Sequence, residues 1–118
     1  MITDHTIHNI ADLQIAEITT TDLTIGNAQL FLEIIMNLPV DRIVIRKENL
    51  DESFFDLRTG LAGEILQKVV NYRMRLAIVG DYSAYTSKSL KDFIYESNKS
   101  NTVVFVGTID EALKRMSD

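Results

Sequence analysis

Asp56-Leu57-Arg58-Thr59-Gly60 sets an acid, a base and a hydroxyl side by side at the entrance of an expected helix. A helix opening here would offer unpaired N–H groups and a partial positive charge beside them. Such a corner can hold a carboxylate or phosphate, with Arg58 as a forked cation, or present Thr59 for phosphorylation. The same residues also have a structural reading, with Asp56 or Thr59 as N-cap and Arg58 paired to an acid. A second group, Gly80-Asp81-Tyr82, follows the apolar run Leu76-Ala77-Ile78-Val79. In open parallel sheets ligands gather at the carboxyl ends of strands. Asp81 is therefore a candidate acceptor for a ligand hydroxyl, a partner for Arg58, or a turn cap. Tyr82, Tyr85, Ser87 and Ser89 are candidates to line the same mouth. The candidate binding set is Asp56, Arg58, Thr59, Gly60, Asp81 and Tyr82.

Other chemistry finds little support. The chain has no cysteine, which removes disulfides, thiolate metal sites and a cysteine nucleophile. His5 and His8 could share a strand face, but no third ligand accompanies them, so no metal site is assigned. No histidine follows His8, and there is no Gly-x-Ser-x-Gly elbow and no Gly-Lys-Ser/Thr phosphate loop. Asp56 with Asp81 would need a defined separation to act as an acid–base pair. No catalytic residue and no cofactor is assigned.

These candidates must be held by a fold. The chain has 118 residues, 46% of them hydrophobic and 25% charged, which suits one globular domain spanning residues 1–118. Its net charge of −5 is the wrong sign for a domain living on phosphate backbones. Arg42, Arg46 and Lys47, and Lys88 with Lys91, read as solvated faces. No apolar run reaches the ~20 residues of a membrane span. Asp4, His5 and His8 stand where a signal peptide needs basic and then apolar residues. The expectation is a cytoplasmic protein that binds neither nucleic acid nor membrane.

Periodicity gives the elements. Thr6 to Ile10 and Leu13 to Ile18 read as two strands joined at Ala11-Asp12, a tight turn without glycine. Asn27 to Asn37 has the apolar stripe of a helix and stops at Pro39. Asp41 to Ile45 is a short strand, and Lys47 to Phe55 a polar connection. A second helix is expected from Leu57 to Tyr72. Gly60 and Gly63 would each weaken its interior by ~1 kcal/mol. Close packing of that helix, or the approach of a ligand or partner, would explain them. Arg75 to Val79 and Thr102 to Val106 read as buried strands. Ser87 to Ser97 is a third helix, Asn98 to Asn101 a turn, and Thr108-Ile109-Asp110-Glu111 a capping box opening a fourth helix. The predicted order is β-β-α-β-α-β-α-β-α, an α/β domain with a mixed sheet and helices packed on it.

Two resemblances follow. Phe54 to Lys68 (FFDLRTGLAGEILQK), with Asn71-Tyr72, Leu76 to Asp81 and Phe93 to Asn98, resembles a family of small bacterial proteins of unassigned function. This implies a bacterial source. The element order is similar to the STAS domain of anti-sigma-factor antagonists and sulfate-transporter tails. There an Asp-Ser-Ser-Gly-Leu motif at the corresponding helix carries the phosphorylated second serine. Thr59-Gly60-Leu61 matches its end, and Thr108 to Leu113 resembles the threonine-capped STAS terminus. Threonine replaces the acceptor serine, Arg58 replaces the preceding serine, and Asp56 lies one residue farther from the glycine. The resemblance implies a STAS-like topology and a non-enzymatic regulatory or protein-interaction module. Its surface would be the start of the second helix, with Thr59 as a possible modification site. The competing reading is an anionic-ligand binder or enzyme using the mouth near Arg58 and Asp81. A protein partner is expected, and a homodimer through an exposed strand or helix is a further possibility.

Overall fold

The computed structural model describes residues 3–118. One sheet contains β1 (His5–Ile10), β2 (Leu13–Ile18), β3 (Arg42–Arg46), β4 (Arg75–Val79) and β5 (Val103–Val106), side by side in chain order. β1 is antiparallel to β2, and β2 through β5 run parallel. Four helices connect or follow these strands: α1 (Ala28–Met36), α2 (Leu61–Asn71), α3 (Lys88–Ser100) and α4 (Ile109–Met116). Three short 3-10 turns fill the connection from β3 to α2.

Strand side chains alternate between two faces, and each face has its own apolar cluster. Ile43, Ile45, Leu76, Ile78, Val103 and Phe105 pack with the buried stripes of α1, α2 and α3. Val44, Ala77, Val79, Val104 and Val106 pack with Ala112 and Met116 of α4. Three helices therefore cover one face and a single short helix the other. β3 and β4 are buried on both sides, which explains their nearly unbroken apolar sequence.

α1, α3 and α4 begin where an N-cap side chain satisfies a free N–H group. Leu30 N–H donates to the Asn27 side chain at 2.8 Å, and Leu90 N–H to the Ser87 hydroxyl at 3.2 Å. Glu111 N–H donates to the Thr108 hydroxyl at 3.1 Å. The Glu111 carboxylate returns to that hydroxyl at 3.4 Å rather than to the backbone, so only half of the expected capping box is made.

Two boundaries differ from expectation in ways that matter. α3 runs through Ser100, so the predicted turn at Asn98 is helical; the chain reverses at Asn101, in the left-handed region at φ 59°. α2 begins at Leu61 and not at Leu57. Leu57–Thr59 is a separate 3-10 turn, and Gly60 breaks the chain between the two at φ +80°. An L side chain is costly there, which accounts for Gly60. Gly63 is different: a Cβ on it would meet nothing within 4 Å. Packing inside this chain does not explain Gly63.

Candidate functional site

The junction ahead of α2 is built from local hydrogen bonds. The Asp56 carboxylate accepts from the Arg58 backbone N–H at 3.2 Å, which caps the 3-10 turn. It also takes a two-pronged pair from the Arg58 guanidinium, with Nε and one terminal nitrogen each at 2.9 Å. Arg58 holds the Asp56 carboxyl below its ordinary value, and Asp56 raises Arg58 in return. The Arg58 side chain is 90% exposed, while the Asp56 carboxylate it grips is half-buried against the turn.

Thr59 is exposed, but its hydroxyl is engaged. It lies 2.6 Å from the Ser53 carbonyl and 2.9 Å from the Asp56 carbonyl, which share its single proton. It accepts from Leu61 N–H at 3.3 Å. Thr59 thus ties two 3-10 turns to the first residue of α2.

Asp81 is exposed at the carboxyl end of β4 and accepts from Ser83 N–H at 2.9 Å. That bond, ahead of the attraction of Lys47, lowers its carboxyl from the ordinary value. Asp81 therefore caps a turn. Tyr82 points inward: its hydroxyl donates to the Ile78 carbonyl at 2.6 Å, and burial pushes it far above a normal phenol. It belongs to the wall behind the mouth and not to a solvent-facing contact set.

Between these two groups lies an aromatic bridge. The Phe55 and Tyr85 rings stack at 5.0 Å, and the Tyr85 hydroxyl meets both Glu52 carboxylate oxygens at 3.0 Å. The Lys47 ammonium sits 5.4 Å from the Phe55 ring, 5.1 Å from the Tyr85 ring and 3.6 Å from Glu52. Its contact with Tyr85, partly offset by burial, raises its affinity for a proton. Lys47 and Tyr85 fasten the β4–α3 loop to the β3–α2 connection. Arg58 lies in the connection that leaves β3 and Asp81 in the one that leaves β4, and no hydrogen bond or ion pair joins the two among the described residues.

A hollow of about 560 Å³ is lined by Phe55, Asp56, Leu57, Arg58, Ser87 and Ser89. It brings the Asp56–Arg58 pair to the start of α3. Asp81 is not among its walls, so this hollow does not gather all three candidate charges. Among the described residues no group of three or more His, Asp or Glu is arranged to hold a metal. Among the same residues no helix is long and apolar enough to cross a membrane.

The chain matches the family described as Domain of unknown function (DUF4180) over residues 10–116. It belongs to the DUF4180 family. A comparison with curated proteins finds no match. The DUF4180 match spans both candidate groups and the bridge between them, and it carries no activity with it.

Two polar clusters of this DUF4180 chain escape a reading of the sequence. By sequence Lys47 reads as a solvated charge, although its position just past β3 is the same strand-end signal that singles out Asp81. Arg46 reads the same way. Its guanidinium donates to Glu17 at 2.6 Å and to the Ile18 carbonyl at 2.8 Å, while His8 Nε2 meets the other Glu17 oxygen at 2.8 Å. Burial would raise the Glu17 carboxyl, but the bonds from His8 and Arg46 outweigh it and hold it low. His8 shares the α4 side of the sheet with Glu17, whereas His5 lies three residues away and on the other side, so the two histidines do not share a face.

Proposed function

We propose that this chain is a non-enzymatic regulatory or protein-interaction module of STAS-like type, acting in the bacterial cytoplasm. Its docking surface is the rim made by Asp56, Arg58, Thr59 and Gly60, with Asp81 beside it across the Lys47–Tyr85 bridge. One observation carries the reading. The charged groups project from capped turns on an exposed rim, each satisfied locally, and Asp81 stands apart from the hollow that Asp56 and Arg58 border. Acid–base or nucleophilic chemistry needs reacting groups within reach of a common point. An interaction surface needs them outward and held in place.

On this reading Arg58 offers an acidic partner group its remaining donors. Thr59 supplies the switch. A phosphate on its oxygen removes the proton shared by the Ser53 and Asp56 carbonyls and sets a dianion beside Asp56. The junction would then rearrange, and a partner reading it would be released or recruited. A second reading has support in the hollow beside Arg58: a small anion could enter between Arg58 and the start of α3.

Affinity capture from the native host, with wild type and Arg58→Ala, separates the readings. The module reading expects proteins retained by wild type to be lost from Arg58→Ala, and Thr59→Glu to change the set. Equal recovery by all three would remove it. Calorimetric binding of phosphate or a small dicarboxylate, abolished by Arg58→Ala, would favour the second reading.

A further inference from the structure

The two edges of the sheet are treated in opposite ways. On the β5 edge, Phe105 N–H donates to the Asn98 side-chain oxygen at 2.6 Å, and Asn98 Nδ2 donates to the Phe105 carbonyl at 3.2 Å. The Ser97 hydroxyl donates to the Val103 carbonyl. Side chains of α3 thus occupy the positions another strand would take, and this edge is closed to pairing.

Among the described residues the β1 edge has no such cover. Asp4 O accepts from Thr19 N–H at 2.9 Å, and the register pairs Thr6 with Glu17, His8 with Ile15 and Ile10 with Leu13. In an antiparallel ladder this alternation turns the N–H and C=O groups of His5, Ile7 and Asn9 away from β2. Among the described residues, none of those backbone groups has a hydrogen-bond partner. The usual guards are also missing. His5–Ile10 contains no lysine, proline, aspartate or glutamate, and its six consecutive pairs leave no room for a bulge.

We infer that β1 is a dimer seam, and that its occupant is β1 of a second copy of this chain, antiparallel about a two-fold axis through Ile7. That register sets Ile7 against Ile7, His5 against Asn9 and Thr6 against His8. Apolar meets apolar at the axis, hydrogen-bonding side chains meet each other around it, and no like charges face. Three outward residues per strand give about six new backbone hydrogen bonds. The closed β5 edge also decides the stoichiometry. A strand cannot add there, so association through β1 stops at two copies and does not run on into a fibre. On the α1 side, His5 borders a hollow of about 380 Å³ walled by Leu30, Ile34 and Leu38, and Asn9 of the second copy would sit at its mouth. Each copy carries a net charge of −5, so the seam must form against mutual repulsion, and salt should tighten it.

Sedimentation equilibrium of the full chain tests this over about 1 μM to 1 mM, the affinity range of a small contact. The expected result is a monomer–dimer equilibrium whose Kd falls as salt rises. Ile7→Lys, which brings two ammonium groups together at the axis, should raise Kd at least about tenfold. Asn9→Pro, which removes an outward N–H and no bond to β2, should do the same while circular dichroism stays unchanged. Amide exchange at Ile7 and Asn9 should slow as concentration rises. Wild type that is monomeric throughout would overturn the inference. So would a dimer that keeps its Kd in both variants, or one that protects neither amide.

Discussion

Gly80→Ala isolates the close approach that holds the candidate rim together. A Cβ on Gly80 would stand 2.6 Å from Lys47 Cβ, 3.1 Å from its Cδ and 3.4 Å from its Cγ. Carbon atoms rest at about 3.5–4.0 Å, so the near part of the Lys47 stem must withdraw by roughly 1 Å. The contact involves the stem where it leaves the backbone, so rotation of the distal chain alone cannot relieve it. Overpacking of this kind costs about 1–3 kcal/mol. Moving the stem also carries the ammonium away from Phe55, Tyr85 and Glu52. Urea denaturation should show the loss: at a slope of about 2 kcal/mol per molar, 2 kcal/mol lowers the midpoint by about 1 M. The near-ultraviolet signal of the Tyr85 environment should change with it. A midpoint within about 0.2 M of wild type, roughly 0.4 kcal/mol at that slope, would refute the argument that Gly80 is required by Lys47.

Gly63→Ala should act in the opposite sense. With open space at its Cβ, alanine should stabilise α2 by about 1 kcal/mol in the same assay. Weakened partner capture by that more stable variant would identify Gly63 as a point where a partner backbone approaches. Glu17 predicts a pH response. Its carboxyl is held below the ordinary 4.5 by His8 and Arg46 against the effect of burial. That stabilisation is present above 4.5 and lost as pH falls from there through the folded value. Glu17→Gln should therefore unfold more easily at neutral pH and lose less stability than wild type on acidification, read as urea midpoints between pH 7 and 3. Asn98→Ala should cost about 1–3 kcal/mol by leaving Phe105 N–H and C=O unpaired, and should open the β5 edge to concentration-dependent association visible by light scattering.

The layered fold was legible because its signals are local. A β-branched run marked β3, nearly unbroken apolar runs marked β4 and β5, and three-four apolar spacing marked α1 and α4. Pro39 stopped α1, as a residue without a backbone donor must. The start of α2 was misread because Leu57 fits the apolar stripe as well as Leu61 does. What breaks the helix is the left-handed Gly60, and glycine in a sequence does not announce its φ. The extension of α3 through Asn98 was hidden for a related reason. Asn98 reads as a turn former until its amide is seen serving as a substitute strand for Phe105. The site residues were found as groups, but their partners were not. An acid partner for Arg58 is expected from the sequence, but Asp81 is the one it names, and the structure supplies Asp56 two residues away. Lys47 with Glu52 and Tyr85 joins separate connections, and His8–Glu17–Arg46 joins three strands. Such pairings depend on register and loop packing, which composition and spacing do not encode.

The most direct test of the proposed docking surface is photo-crosslinking in the native host, from a reactive group placed at the exposed Ser89, which borders the same hollow as Arg58 and leaves Arg58 in place, and, in a second protein, at Asp110 on the exposed face of α4. The account predicts a discrete protein adduct from position 89 and none from position 110. Adducts from position 110 alone would put the working surface on the other face of the sheet and contradict it.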